Sequence, residues 1–205
     1  MKTGLQFAEC ALLPKWDKYT YDRLDCQAFV EAVLKDIGVR KPDGTVYDWR
    51  GSNSMFRNYY SWRGTVDECI KKFGSLPVGA FVYIWKETGE QEVGYNDGLG
   101  NCTHVGIYCG NDVVRDSTRS TKTGRNGVGT RTLKGFNRVT LFSGLDYSVT
   151  NSYNAGIEKV MAVIDNIHNQ LIEMEGTLNE LFRGEGTFAS RIYCGRNKRD
   201  VNNSF

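Results

Sequence analysis

The sequence is short of several things, and each shortage narrows what the protein does. Among 205 residues there are only two histidines, so any mechanism that needs an imidazole has almost no choice. No run approaches the roughly 18 apolar residues of a membrane-spanning helix, so no membrane span is expected. Residues 1–10 carry one lysine, no apolar core segment and no small-residue cleavage site, so no Sec-type signal is expected. The six cysteines form no CxxC pair and no Cys/His ligand spacing, which argues against a structural zinc site or any other metal. A net charge of +2 gives no general case for nucleic acid binding.

What is present is enough to fold. An apolar fraction of 40% with 12% aromatics supplies a core for one domain of ordinary size plus an appendage. Residues 26–37 place Phe29, Val30, Val33, Leu34 and Ile37 on one helical face, with Asp25 as N-cap and Gly38 as stop. Residues 41–63 are polar and aromatic and read as loop and short helix. Apolar runs at Ala80–Trp85, Thr103–Cys109, Asp112–Asp116 and Arg138–Phe142 read as strands of an antiparallel sheet. A helix followed by consecutive strands is an α+β pattern. The expected division is a domain over 1–145, a linker and heptad helix over 146–184, and a basic Gly-rich tail over 185–205. In the second part Ile157, Val160, Ile164, Ile167, Leu171, Met174, Leu178 and Leu181 recur at alternating steps of three and four, the seam of a coiled coil. That seam predicts a homo-oligomer through residues 157–182, against the alternative of a helix packed on its own domain.

Cys26 is the candidate nucleophile, because the first turn of a helix favours a thiolate over a thiol. His104 is the candidate base: it shares a strand face with Gly106, which leaves space beside it, whereas His168 flanks the heptad seam. A third group should orient the imidazole. If the hairpin after His104 has a three-residue loop at 110–112, Asp116 shares its face with His104; a two-residue loop brings Ser117 there instead. The parity of the strands leaves both open.

Three segments, DCQAFVEAVLKDIG at 25–38, LPVGAFVYI at 76–84 and HVGIYCGNDVVRD at 104–116, resemble the signature blocks of the NlpC-type cysteine peptidases, over roughly residues 15–145. The resemblance implies a papain-like domain that cleaves peptidoglycan stem peptides, often between γ-D-glutamate and a diamino acid, without cofactor or metal. It implies Cys26 as nucleophile, His104 as base and Asp116 as the third residue, in agreement with a three-residue loop. Tyr19 or Tyr21 would serve the oxyanion site. Where the family has a small Ser-Gly pair after the nucleophile, this chain has Gln27-Ala28, expected to reshape the pocket rim. Ala80 stands where an acidic residue often follows the glycine of the middle block. The other five cysteines are expected to be packing residues.

Between residues 113 and 138 seven cations, Arg115 and Arg119 among them, face Asp116 alone; this local +6 leaves the remainder of the chain at −4. The stretch reads either as a cationic rim for the carboxylates of stem peptides or as a solvated loop, with nucleic acid disfavoured by the lack of interleaved aromatics. Bacterial peptidoglycan is thus the expected partner. The site of action is expected to be the cell wall, reached from the cytoplasm after release or within a phage particle, as for a lysin or tail-associated protein. An N-acetylmuramoyl-L-alanine amidase and a non-catalytic wall-binding protein are the alternatives.

Overall fold

The structure, a computed structural model, describes residues 1–87, 95, 97–148 and 163–179. The chain divides into two units, Met1–Asn154 and Ala155–Phe205. The first is α+β, built on a six-stranded antiparallel sheet.

Helix α1 (Gly4–Ala11) opens with a capping box between Thr3 and Gln6 and buries Phe7, Ala8 and Ala11. Helix α2 (Cys26–Asp36) begins where expected: the Asp25 carboxylate accepts from the Ala28 N–H at 2.8 Å. Phe29, Val30, Val33 and Leu34 form its buried face. After these come α3 (Gly51–Arg57), β2 (Tyr60–Thr65), α4 (Val66–Phe73) and the strands β3 (Phe81–Lys86), β4 (Asn101–Tyr108), β5 (Val113–Arg119), β6 (Asn126–Thr132) and β7 (Arg138–Phe142). Their order in the sheet is β2-β7-β3-β4-β5-β6. A further pair joins β1 (Lys2–Thr3) in parallel to β8 (Leu145–Asp146), so the fold runs past the boundary expected at 145, and the buried Tyr147 hydroxyl bonds the Phe142 N–H and the Gly79 carbonyl.

Two strands depart from the reading of the sequence. The β2 segment YSWRGT lies in the stretch read as loop and short helix, and the β6 segment NGVGTRT lies in the basic stretch. Both are edge strands of the sheet. An edge strand exposes one ladder side and needs less apolar alternation than a central one, so neither shows the pattern that marked β3, β4 and β7. Two aromatics of the 41–63 segment, Trp49 and Phe56, are nonetheless core: Trp49 stacks on Tyr47 at 5.4 Å and meets Phe81 and Phe142 edge-on.

In the second unit residues 163–179 are helical. Ile164, Ile167, Leu171, Met174 and Leu178, five of the heptad positions, are each 50–61% exposed, as are Val163 and Ile172. His168 is exposed on the same helix. The outer seam positions Ile157, Val160 and Leu181, and the tail over 185–205 with Cys194, lie outside the described residues. Among the described residues no helix is long and apolar enough to cross a membrane.

Candidate active site

The site forms where β4 and β5 stop pairing. Their ladder is confined to Ile107↔Arg115 and Tyr108↔Val114, whereas β5 and β6 pair along seven residues. The connection is the three-residue loop: Cys109 N–H bonds the Val113 carbonyl, and Gly110, Asn111 and Asp112 all adopt positive φ, which these residue types tolerate. This register puts Asp116 on the face of His104. The His104 Nε2 and Asp116 Oδ2 atoms are 2.6 Å apart, with Asp116 fully buried and His104 8% exposed. Gly106 opens the space between them, since a Cβ there would stand 3.2 Å from the Asp116 Cβ and closer still to Val114.

Cys26, at the start of α2, acts on the same imidazole and, with Asp116, favours its charged form. Cys26 occupies the first position of α2, and the helix provides its N–H with no acceptor. Burial is the largest influence on His104 and disfavours its charged form. The hydrogen bonds and charges of Asp116 and Cys26 together overcome it, and the imidazole pKa is pushed up to about 9. The arrangement therefore favours imidazolium beside the Asp116 carboxylate. By contrast, burial drives the thiols of Cys69, Cys102 and Cys109 up to about 12, and burial with a bond to Asp36 takes Cys10 to about 11.

Of the two tyrosines, Tyr21 is the one that feels the thiol: burial, then the charges of Cys26 and Asp25, push its hydroxyl up to about 12. It stays a neutral donor at any ordinary pH. Tyr19 instead packs its ring on Trp16 at 6.2 Å and gives its carbonyl to the Val128 N–H. Arg119 pairs with Asp22 and sits 5.7 Å over the Tyr21 ring, half exposed beside the site.

Two expectations for the rim are corrected. Gln27 is internally spent: its amide donates to Glu31 and to the Trp49 carbonyl and accepts from Gly51 N–H, tying α2 to the 49–51 segment. Arg115 is buried on the opposite face of β5 from Asp116, where it bonds the Ala11 carbonyl and pairs with Asp17. It ties the sheet to the segment leading to Cys26 and presents no charge to solvent. Ser117, on that same face, donates to the Leu24 carbonyl, two residues before the nucleophile.

The reading of the sequence missed what holds Asp116. Arg125 pairs with its Oδ1, and Arg131 Nε lies 3.7 Å from its Oδ2. Arg125 reaches it by lying across Gly129, where a Cβ would stand 2.9 Å from the Arg125 Cδ. Arg131 stacks 4.5 Å from the centre of the Phe136 ring, itself 6.0 Å from the His104 ring. The signal was present in NGVGTRT, whose period of two empties one strand face at Gly127 and Gly129. Without β6 recognised as a strand, that alternation reads as loop composition. A wider cleft of about 750 Å³, bordered by Val39, Arg40, Pro42 and Tyr47, contains none of Cys26, His104 and Asp116.

Among the described residues no group of three or more His, Cys, Asp or Glu side chains is placed to hold a metal ion. Compared with known proteins, the chain matches no protein-family model and no curated sequence.

Proposed function

We propose that this protein is a cysteine peptidase acting on bacterial peptidoglycan, with Cys26 as nucleophile, His104 as general acid–base and Asp116 as the group that orients the imidazole. The observation that carries the reading is the grouping itself: a thiol at a helix start that acts on an imidazole, and a buried carboxylate 2.6 Å from the imidazole Nε2. The NlpC-type resemblance of the three blocks supplies the papain-like fold and the substrate class.

In this mechanism the Cys26 thiolate attacks an amide carbonyl carbon, and the carbonyl π pair moves onto oxygen. The Cys26 N–H and the Tyr21 hydroxyl stabilise that oxyanion. Collapse expels the amine, which takes its proton from the His104 imidazolium, and leaves a thioester on Cys26. Neutral His104 then removes a proton from water as the water attacks the thioester, and the carboxylic acid leaves with the thiolate and imidazolium restored. Asp116 holds its hydrogen bond to the imidazole throughout and fixes the ring orientation. The expected bond is γ-D-glutamyl to diamino acid in the stem peptide.

Digestion of purified peptidoglycan by the full chain, read by mass spectrometry, tests this. The expected products are fragments cut within the stem peptide. A new lactyl end on the amino sugar would assign an amidase instead. Release by Cys26→Ala equal to that of the parent would leave a wall-binding protein without catalysis.

The second unit is proposed to join copies of the chain. Seven apolar side chains at least half exposed on residues 163–179 need a cover, and the heptad spacing of five of them fits a second copy of the same helix. Sedimentation of the full chain should give a mass above one protomer; a monomer at all concentrations overturns this assignment.

A further inference from the structure

Beside the relay lies a cleft of about 260 Å³ lined by Thr118, Ser120, Thr123, Arg125, Thr130 and Arg131. Neither Cys26 nor His104 borders it, and Asp116, which both arginines approach, is fully buried. The lining is chemically one-sided: two guanidiniums, four hydroxyl-bearing side chains and no carboxylate. Two cations thus answer to a single buried anion, leaving one positive charge over. Donors are also left over. Arg125 uses Nη2 on Asp116 and Nη1 on the Thr130 carbonyl, which leaves its Nε and the second N–H of each terminal nitrogen. The terminal nitrogens of Arg131 make no hydrogen bond among the described residues, and its plane is steadied by Phe136. Paired guanidiniums with hydroxyls around them match the planar, multi-acceptor geometry of an oxyanion, and the volume accommodates one such group.

We propose that this cleft binds a small oxyanion, carboxylate or phosphate, between Arg125 and Arg131, and that the bound anion competes with Asp116 for the two guanidiniums. The bound anion draws positive charge away from Asp116 and hands more of the carboxylate to His104. The cleft is thereby a control point on the relay, and its effect on turnover rests on His104 acting as the base. Binding itself does not depend on that role.

The two histidines make the experiment clean, because the exposed His168 on the 163–179 helix is a control within the same full chain. Inorganic phosphate and acetate are titrated separately at constant ionic strength while the ring resonances of both histidines are followed by NMR. The expected result is a saturable shift of His104 with His168 unmoved, and an apparent affinity weakened at least about tenfold in Arg131→Gln. Arg131 is chosen because Arg125→Gln would strip Asp116 of its closest cation; Thr118→Val, expected to weaken binding by a smaller factor, is the second variant. Equal drift of both histidines, no saturation, or unchanged binding in Arg131→Gln together with Thr118→Val would each overturn the proposal. A peptide with a free carboxylate is then compared with its amide. Competition with phosphate by the acid alone identifies a substrate carboxylate as the occupant, and no competition by either identifies a free anion. A protein that binds phosphate yet releases nothing from peptidoglycan retains this site and loses the peptidase reading, so the two fail separately.

Discussion

The two sides of the His104 ring are built by opposite means. On the thiol side the helix start that carries the sulfur is local: Asp25 caps α2 by bonding Ala28, and Cys26 takes the first helical position. Four consecutive residues suffice. On the carboxylate side nothing is local. Asp116 meets His104 only because a three-residue loop sets the β4–β5 register, and at zero exposure it is paired with Arg125, which crosses Gly129 to reach it. β5 serves both sides by alternation, with Asp116 turned to the imidazole and Arg115 and Ser117 holding the chain before Cys26. A local site tolerates truncation of its side chain, whereas a buried charge network does not.

The largest effect should therefore come without any loss of fold. Cys26→Ala is expected to lower peptidoglycan release by at least about 10³-fold, as for removal of a covalent nucleophile, while the thermal midpoint stays close to that of the parent. Cys102→Ala, at a thiol that burial holds near 12, should reverse the pattern: activity retained, stability lowered. If Cys102→Ala abolished activity and Cys26→Ala did not, the nucleophile assignment would be wrong.

Asp116→Asn should damage both properties at once. An amide in place of the carboxylate leaves Arg125 without its anion, and breaking a buried ion pair costs about 3–5 kcal/mol. Activity should fall about 10²–10⁴-fold, because the ring loses the acceptor that orients it. Denaturant midpoints and kcat/KM measured on one preparation separate the two losses. A fully active, fully stable variant would contradict both the relay and the arginine clamp.

How far the sequence could be read divides along the same line. α2, its cap and the central strands were legible because their residues carry their own periodicity. The alternation in HVGIYC placed His104 and Gly106 on one face, and only the loop length was undecided. Arg125 and Arg131 were visible as charge but not as partners of Asp116. Their role depends on β6, an edge strand of Gly, Thr and Arg that has the period of a strand without its hydrophobicity. Gln27 and Arg115 were misassigned for a related reason. A long polar side chain beside a site reads as rim until the fold shows which backbone groups need it, here the 49–51 segment and the Ala11 carbonyl.

The imidazole pKa gives a subtler test. Burial pulls His104 down, while Asp116 and Cys26 raise it to about 9 from an ordinary 6.5. A raised histidine value adds stability that is complete below the unfolded-state value, near 6.5, and is lost as pH rises through about 9. Activity should likewise hold to about pH 9 and then fall about tenfold per unit, since the leaving amine takes its proton from imidazolium. Asp116→Asn removes the first of the raising influences, so its alkaline limb should move to lower pH. Tyr21, held near 12, takes no part in that limb. A limb unmoved by Asp116→Asn would assign the ionisation to another group.

The smallest expected effect probes the joint between the two sides. Gly127 has φ +127°, and a Cβ there would overlap the Tyr19 carbonyl, which accepts from the neighbouring Val128 N–H. Asn126 holds the next residue but one, its side-chain carbonyl accepting from the Tyr21 N–H. So β6 carries Arg125 toward Asp116 at one end and grips the loop bearing Tyr21 along its edge. Gly127→Ala should cost about 1–3 kcal/mol in strain, a shift of a few degrees in thermal midpoint. Because the overlap is with backbone, the 19–21 loop must move, and kcat should fall several-fold more than stability alone explains, with little change in KM. Gly135→Ala is the control: it too has positive φ, +94°, but a Cβ there meets nothing within 4 Å. If the two variants lose activity equally, the loss reflects backbone strain alone, and β6 does not position Tyr21.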